Sequence, residues 1–230
     1  MKVEQSLSST TSLEKVVRGY SSPYWWYDIR GIFVVYLAHQ DSLTRLVSFF
    51  AANGSSNHLE VAVGSGSLLG FAMLWRQYVK KLPPSQGIAI DYSPEMLRGA
   101  AARLQKRGWK VQREDAAHLP FADGSFATAN MPNAFHSIPD AVGATAEMFR
   151  VLRPGGTAAM NIVLNSRGGA LRRWFADRVT QWGIRTGMLV RTYAEAEVKE
   201  IMLSQGFEVL ESSIHGNDLY LLLRKPSLGV

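Results

Sequence analysis

Glycines and carboxylates that could hold a nucleoside follow short apolar runs in the first half of the chain. Glu60 lies within the run His58–Val61, and Gly64 and Gly66 come directly after it. Glycines at the end of a strand let the backbone turn sharply and approach a ligand, and a nearby carboxylate can accept hydrogen bonds from hydroxyl or amine groups. A glycine-rich turn is weak evidence by itself, because ordinary connections between strands and helices also contain glycine.

Two further carboxylates each end a predicted strand. Asp91 follows the run Gly87–Ile90, and Asp115 follows Val111–Glu114. Ser93 after Asp91 is a good helix cap, with a proline next to it that suits the first helical turn. Parallel strands present their carboxyl ends at one edge of a sheet, so these acids are expected near the glycine turn.

The elements that must position these residues alternate between strand and helix, which indicates a doubly wound α/β sheet. The predicted strands cover about 58–61, 87–91, 110–113, 125–131, 157–163, 207–211 and 219–224. The predicted helices cover about 14–20, 29–38, 42–52, 68–81, 94–107, 147–153, which Pro154-Gly155-Gly156 would stop, and 192–205, which a Thr192–Glu195 capping box would open.

This ordered set of motifs resembles the class I S-adenosylmethionine (SAM)-dependent methyltransferases, most closely the branch of the ubiquinone and menaquinone biosynthesis enzymes. The resemblance covers about residues 20–224, and its most specific parts are Asp91–Leu97 and Arg150–Gly156. It implies a seven-stranded, mostly parallel Rossmann-like sheet with an antiparallel last strand. The chain departs from the family at Ala62, where a methyl group stands in place of the usual glycine.

The resemblance also implies a SAM site. Asp91 would accept from the ribose hydroxyls, Asp115 from the adenine amino group, and Glu60 would orient the turn or contact the methionine amine. The complete set expected to bind the cofactor is Tyr27, Glu60, Ala62, Gly64, Ser65, Gly66, Asp91, Tyr92, Met96, Asp115, Ala116 and Asn130.

His136 is the candidate catalytic residue, because it follows the fourth strand, where acceptors lie in many relatives. Histidine has an ordinary pKa of about 6.5, which suits a general base. A purely structural histidine is the competing interpretation. Methyl transfer needs a base only when the acceptor must lose a proton, since alignment and desolvation can provide much of the rate.

The predicted domain organisation is a flexible segment over residues 1–22 and one methyltransferase domain over 23–230. Residues 23–56 would form an aromatic lid, in which Tyr24–Tyr27 either close over the cofactor or cover the sheet edge. An insertion over about 164–191, rich in arginine and aromatic residues, would build the acceptor pocket. The expected acceptor is a small apolar or amphipathic molecule such as a quinone-like ring, a lipid or a secondary metabolite.

Composition excludes several classes of protein. The chain has no cysteine, and its five histidines lack ligand spacing, so no metal site is expected. The first residues lack a secretory pattern, which favours a cytoplasmic protein. A net charge of +6 permits peripheral contact with an anionic membrane.

Three alternatives remain open at the level of sequence. Gly64, Gly66 and Gly70 also suggest a nicotinamide-dependent oxidoreductase, although their spacing is one residue longer than the common fingerprint. The positive charge suggests an RNA-modifying enzyme, but Asn130-Met131-Pro132-Asn133 does not match the signature of amino-group nucleic-acid methyltransferases. The third is a methyltransferase-fold protein that binds SAM and catalyses another reaction or none.

Overall fold

The computed structural model describes residues 13–227. The helices are α1 (13–19), α2 (Tyr24–Val34), α3 (Leu43–Ala52), α4 (Ser67–Leu74), α5 (Pro94–Leu104), α6 (Ala141–Val151), α7 (Ala170–Thr186) and α8 (Glu195–Ser204). The strands are β1 (His58–Val61), β2 (Gly87–Asp91), β3 (Lys110–Arg113), β4 (Phe126–Met131), β5 (Leu152–Val163), β6 (Glu208–His215) and β7 (Asp218–Arg224). A π-helical turn continues α2 over Val35–His39, and another continues α4 over Trp75–Val79.

The strands form one sheet in the order β3-β2-β1-β4-β5-β7-β6. The pairs from β3 to β5 are parallel, whereas β7 is antiparallel to both β5 and β6. This arrangement confirms the predicted fold class. The strand order reverses direction between β1 and β4, and ligands of open α/β sheets bind at such a reversal, outside the carboxyl ends of the strands.

Helices cover both faces of the sheet, as alternation along β5 shows. Met160 packs in a core cluster with residues of α6 and α8, whereas Ala159 packs in a second cluster with residues of α3 and α4. Successive strand residues point to opposite faces, so these clusters are the two layers of a doubly wound fold. Leu59, Ala158 and Met148 belong to the first of these clusters and are fully buried.

Several helix ends follow the sequence signals. Ser42 caps α3 and Ser93 caps α5 through their hydroxyl oxygens. Gly108 adopts the left-handed conformation that ends the short 3₁₀ turn, Gln105–Arg107, which continues α5.

The α2 prediction was wrong at its start, because the helix begins at Tyr24 rather than at residue 29. Pro23, with its fixed φ, stands at the N-cap of α2, so the aromatic cluster is helical.

Two other boundary predictions were wrong. Helix α6 ends at Val151, and β5 already includes Pro154-Gly155-Gly156 because the backbone of Gly155 and Gly156 bonds to Lys225 beyond β7. The capping box does not form, because the Thr192 hydroxyl donates to Asn165 Oδ1 at 2.7 Å and Ala194 precedes α8.

The described part of the segment predicted to be flexible includes a helix. Residues 13–19 form α1, and Leu13, Val16 and Val17 share one face of it at helical spacing. The apolar contacts of these three side chains hold the segment in place, although its overall composition is polar. Residues 1–12, which complete that prediction, lie outside the described residues.

The turn after β1 is built on left-handed backbone. Gly64 and Gly66 have φ of 58° and 78°, and a β-carbon on Gly66 would lie 2.9 Å from Ala100 Cα of α5. Ala62 also has a positive φ, of 53°. An L-residue other than glycine is strained there because its β-carbon crowds the following carbonyl oxygen. The alanine that departs from the family pattern is thus accommodated at an energetic cost.

We predict that Ala62→Gly raises the free energy of unfolding by about 1 kcal/mol, since relief of left-handed strain outweighs the added freedom of the unfolded chain. Denaturant unfolding measures it. The matched control is Ala102→Gly on the exposed side of α5, which should lower stability by about 0.5–1 kcal/mol. Equal destabilisation by both changes would show that Ala62 is not strained.

Candidate functional site

A cavity of about 90 Å³ lies at the carboxyl ends of β1, β2 and β4. One end is lined by the glycine turn and by residues that follow β2 and β3, namely Ala62, Gly64, Asp91, Tyr92, Ser93, Met96, Glu114, Asp115 and Ala116. The other end is lined by residues of α1 and of the loop after β4, namely Leu13, Val16, Val17, Pro132, Asn133, Ala134, Ser137, Ile138 and Pro139. The cavity therefore has a polar end and a predominantly apolar end.

Asp91 is the central polar group of the first end. Its Oδ2 accepts from Gly64 N–H and its Oδ1 from Ser93 N–H, both at 2.8 Å. Burial raises the pKa of Asp91, and the backbone hydrogen bonds of Ser93, Gly64 and Tyr92 offset this only in part. A carboxylate oxygen can accept two hydrogen bonds, so each oxygen retains acceptor capacity for a ligand.

Asp115 and two apolar side chains complete the polar end. Asp115 Oδ1 accepts from Ala117 N–H, and its Oδ2 lies 3.0 Å from His118 Nδ1. Met96 is almost fully buried and lines the cavity together with Ile90. An aromatic heterocycle with an exocyclic amine matches this combination of an acceptor and apolar walls.

An ionic clamp holds the glycine turn from its outer side. The Asp28 carboxylate of α2 accepts from the hydroxyls of Ser65 and Ser67 and pairs with the Arg103 guanidinium of α5 at 2.7 Å. A second Arg103 nitrogen donates to the Ser65 carbonyl at 2.8 Å. Helices α2 and α5 therefore fix the turn, and Asp28 also places a negative charge at the amino end of α4.

Two tyrosines cover the cavity. The Tyr27 ring lies against Gly64, where a β-carbon would be 3.6 Å from Cε1, and its centroid is 5.6 Å from that of Tyr20. Burial raises the pKa of both hydroxyls, so both remain protonated. Tyr20 donates its hydroxyl to the Met188 carbonyl at 3.0 Å, beyond the end of α7.

Helix α1 reaches the cavity through a close backbone contact with the end of α7. A β-carbon on Gly19 would lie 2.8 Å from the Thr186 carbonyl oxygen, and one on Gly187 would lie 2.9 Å from that of Lys15. Glycine at both positions allows the helices to meet. The sequence predicted a short helix over residues 14–20. The apolar spacing of Leu13, Val16 and Val17, which that prediction did not use, indicates the side of the helix that lines the cavity.

The structure brings eight of the sequence-predicted residues to the cavity wall: Tyr27, Ala62, Gly64, Asp91, Tyr92, Met96, Asp115 and Ala116. Ser65 and Gly66 shape the turn without lining the cavity. Glu60 Oε2 instead lies 3.0 Å from His58 Nε2, inside the sheet. Asn130 accepts a hydrogen bond from Asn53 of the loop after α3. These four residues therefore support the site from behind.

His136 lies behind the cavity, next to the lining residue Ser137. Its Nδ1 accepts from Val163 N–H at 3.3 Å, and the ring is nearly fully buried. Burial, with a smaller effect of His39, lowers the pKa of His136 to about 3. A neutral imidazole of such low basicity is a poor general base, so the geometry favours the structural interpretation.

Within residues 13–227, no group of three or more His, Asp and Glu side chains has the arrangement of a metal site. The described helices are also each too short or too polar to cross a lipid bilayer.

A family model described as "Methyltransferase domain" matches residues 59–160, which include β1, β2, β3, β4 and most of β5. This segment is similar to methyltransferase domains. The match confirms the resemblance that the sequence motifs indicated. Most residues that line the cavity belong to the matched segment, and those of α1 and α2 lie outside it. The family implies SAM as the methyl donor.

One curated protein is similar to this chain in sequence, and two solved structures are similar to it in fold. The ubiquinone/menaquinone biosynthesis C-methyltransferase of Desulfotalea psychrophila is 35% identical over 103 residues, which are 45% of this chain and 39% of that protein. The chain therefore matches only about two fifths of that relative's length. A Haloferax volcanii methyltransferase solved with the Trm112 methyltransferase activator has a TM-score of 0.65 at 18% identity, covering 88% of this chain and 97% of its own. The [4+2]-cyclase SpnF has a TM-score of 0.62 at 18% identity, covering 81% of this chain and 80% of its own. The two structures establish the fold.

The residues of the methyltransferase domain fit SAM by their chemistry. Asp91 offers acceptor oxygens for ribose hydroxyls, and Met96 and Ile90 offer apolar surface for adenine. The space is small, however, since sites for ligands of this size measure about 300–1,000 Å³ and the cavity measures about 90 Å³. We therefore expect helix α1 and the two tyrosines, which cover the cavity, to shift when a ligand of that size enters.

Asp91 predicts a pH dependence for binding of S-adenosylhomocysteine (SAH), the demethylated product. The carboxylate is the accepting form, and its pKa is raised, so affinity is complete above that pKa and falls as the pH decreases through it. The decrease should begin at a higher pH than for an ordinary aspartate.

Titration calorimetry across this pH range measures the effect, with Asp91→Asn as the comparison. The variant should bind more weakly by about 1–3 kcal/mol and lose the acid-dependent decrease. A wild-type affinity that does not change on acidification would contradict the assignment of Asp91.

Helix α1 predicts a change in binding kinetics. Gly19→Ala adds a β-carbon 2.8 Å from the Thr186 carbonyl oxygen and should displace α1, so that SAH associates and dissociates faster. Stopped-flow tryptophan fluorescence measures both rate constants. Gly31→Ala on α2 is the matched control, because its β-carbon would have no neighbour within 4 Å. Identical rates in both variants and the wild type would remove α1 from ligand entry.

Proposed function

We propose that this chain transfers a methyl group from SAM to a small apolar or amphipathic acceptor, with a quinone-like ring or a lipid as the favoured class. The observation that carries the proposal is the division of one cavity into a polar end around Asp91 and an apolar end around α1 and the loop after β4. A donor nucleoside and an apolar acceptor would meet where the two ends join.

The apolar end supports the acceptor class. Leu13, Val16, Val17 and Ile138 provide aliphatic surface, and Asn133 and Ser137 place polar groups among them. Such a wall accommodates a ring or chain and orients one or two oxygens. The name of the Desulfotalea relative, a ubiquinone/menaquinone biosynthesis C-methyltransferase, is consistent with an acceptor of this kind.

The chain's own groups would act by positioning and by excluding water. Bound SAM supplies an electrophilic methyl group, which needs a nucleophile in line with it. Tyr20 and Tyr27 would cover the reacting groups, and their neutral hydroxyls can donate hydrogen bonds. Alignment and water exclusion of this kind can contribute about 7–11 kcal/mol to rate acceleration.

The described residues at the cavity include no side chain that is well suited to remove a proton from the acceptor. His136 is buried, neutral and engaged through Nδ1. The carboxylates at the wall, Asp91, Glu114 and Asp115, belong to the polar end. The proposed acceptor is therefore one that reacts without a strong enzymatic base, such as an electron-rich hydroxylated ring.

The test is incubation of the purified chain with methyl-tritiated SAM and separate lipid, small-metabolite, protein and RNA fractions of the source cells. We expect label in material that organic solvent extracts, and loss of most labelling in Asp91→Asn. Gly31→Ala serves as the control for a neutral substitution.

The other outcomes distinguish the alternatives. Label only in protein or RNA would overturn the proposed acceptor class. Binding of SAH without label in any fraction would overturn methyl transfer and favour a different reaction on the same fold, as the name of the [4+2]-cyclase SpnF illustrates for another protein. Absence of SAH binding by the folded chain would overturn both.

A further inference from the structure

Helix α2 exposes an apolar stripe to solvent. Large side chains recur along it at helical spacing, and all of them are between 42% and 61% exposed: Trp25, Trp26, Ile29, Ile32, Phe33, Tyr36 and Leu37, the last two on its π-helical continuation. The opposite side of the helix carries Tyr27 and Asp28, which face the site. An ordinary surface helix turns its apolar side to the core and its polar side to solvent. Helix α2 has the reverse arrangement.

Helix α7 exposes a second stripe of a different kind. Leu171, Trp174, Phe175 and Trp182 are between 41% and 70% exposed, and Arg178 and Arg185 recur on the same side of the helix. The Arg178 guanidinium lies 4.8 Å from the Trp174 ring centroid. A groove of about 470 Å³ is lined by Trp174, Asp177, Arg178, Gln181, Trp182 and Arg185. This stripe therefore combines aromatic rings with cations.

The two helices run antiparallel beside each other. Gln40, after the π-helical continuation of α2, donates to the Arg172 carbonyl near the start of α7, and Arg30 of α2 stacks 5.4 Å from the ring of Trp182 near the end of α7. Eleven large side chains that are each about half exposed present on the order of 1,000 Å² of apolar surface, well above the largest patches of typical monomers. We call this surface the α2–α7 face.

The charge on this face is mostly positive. Helix α7 contains four arginines, at positions 172, 173, 178 and 185, and a single acid, Asp177. Within residues 13–227, none of the four forms a salt bridge. The one acid of α2, Asp28, is turned inward to Arg103 and the glycine turn. An occupant of the face must therefore supply apolar surface and negative charge together.

We propose that the α2–α7 face docks on a lipid bilayer that contains anionic lipids. Tryptophan rings and arginines with long aliphatic stems are the side chains that settle at the boundary between head groups and acyl chains. The apolar stripe of α2 would enter the acyl boundary, and the α7 arginines would pair with lipid phosphates along the groove. This inference stands independently of the proposed methyl transfer.

A second copy of the chain is a poorer occupant of the same face. In a two-fold contact centred on the groove, the arginines of α7 would approach the same arginines of the second copy. Like charges in a desolvated contact are destabilising, and Asp177 is the one acid that lines the groove beside Arg178 and Arg185.

The test is sedimentation of the full chain with vesicles of phosphatidylcholine alone and of phosphatidylcholine and phosphatidylglycerol in equal parts. We expect at least tenfold stronger partitioning onto the anionic vesicles, and weaker partitioning as salt is added. Trp25→Ala and Phe33→Ala should each weaken it about tenfold. Arg178→Gln and Arg185→Gln should each weaken it about fivefold.

Matched controls use residues remote from the face. Leu203→Ala removes an exposed leucine of α8, and Lys106→Gln with Arg107→Gln removes two exposed cations after α5, so neither should change partitioning. Unchanged SAH binding shows that each variant is folded.

Three outcomes would overturn the proposal. One is absence of sedimentation with anionic vesicles. Another is sedimentation that the control variants reduce as much as the face variants do. The third is concentration-dependent self-association in light scattering that Phe33→Ala abolishes while vesicles are not bound, which would assign the face to a second copy.

Discussion

The hydrogen bond from Gly64 N–H to Asp91 Oδ2 joins the two loops on which the rest of the site depends. It ties the end of β2 to the turn between β1 and α4, at the point where the strand order reverses. Gly64 N–H can donate because the left-handed conformation of Gly64 and Gly66 turns the backbone inward. The Asp91 carboxylate is held in place to accept because the N–H of Ser93 orients its other oxygen. Burial that raises the pKa of Asp91 is the cost of placing this acceptor where a ligand can reach it.

The sequence predicted the sheet and the polar end of the cavity well because their signals are local. A β-branched run, a glycine turn and an acid after the strand lie within a few residues of one another, and Asp91 and Gly64 are where that pattern indicates. The start of α2 was missed because an aromatic cluster after proline has no clear local preference. The capping box failed because Thr192 found a partner, Asn165, that is 27 residues away in the chain.

The roles of the buried polar residues could not be predicted, because their partners are distant in sequence. Asp218 Oδ2 lies 2.9 Å from His39 Nδ1, and Asn161 links that carboxylate to Asn133 at the cavity wall. Burial opposes protonation of His39, but the carboxylates of Asp218 and Asp41 outweigh it and raise its pKa.

His136 shows the opposite result a short distance away. Its ring centroid is 5.9 Å from that of His39, and burial, reinforced by His39, lowers its pKa. Two histidines that look equivalent in sequence thus differ in basicity because one of them faces acids. A candidate base chosen by its position after a strand therefore needs the tertiary structure to decide its role.

The α2–α7 face and the cavity share their helices. Helix α2 presents Trp25 and Phe33 outward and Tyr27 inward, so one rigid element carries both surfaces. The end of α7 holds α1 through Gly187 and receives the Tyr20 hydroxyl at the Met188 carbonyl. A force on the outer face of these helices would therefore reach the two tyrosines that cover the cavity. An apolar acceptor dissolved in a bilayer would meet the protein on the side of Tyr20 and Tyr27, which cover the cavity. The apolar face and the path of ligand entry would in this way be physically connected.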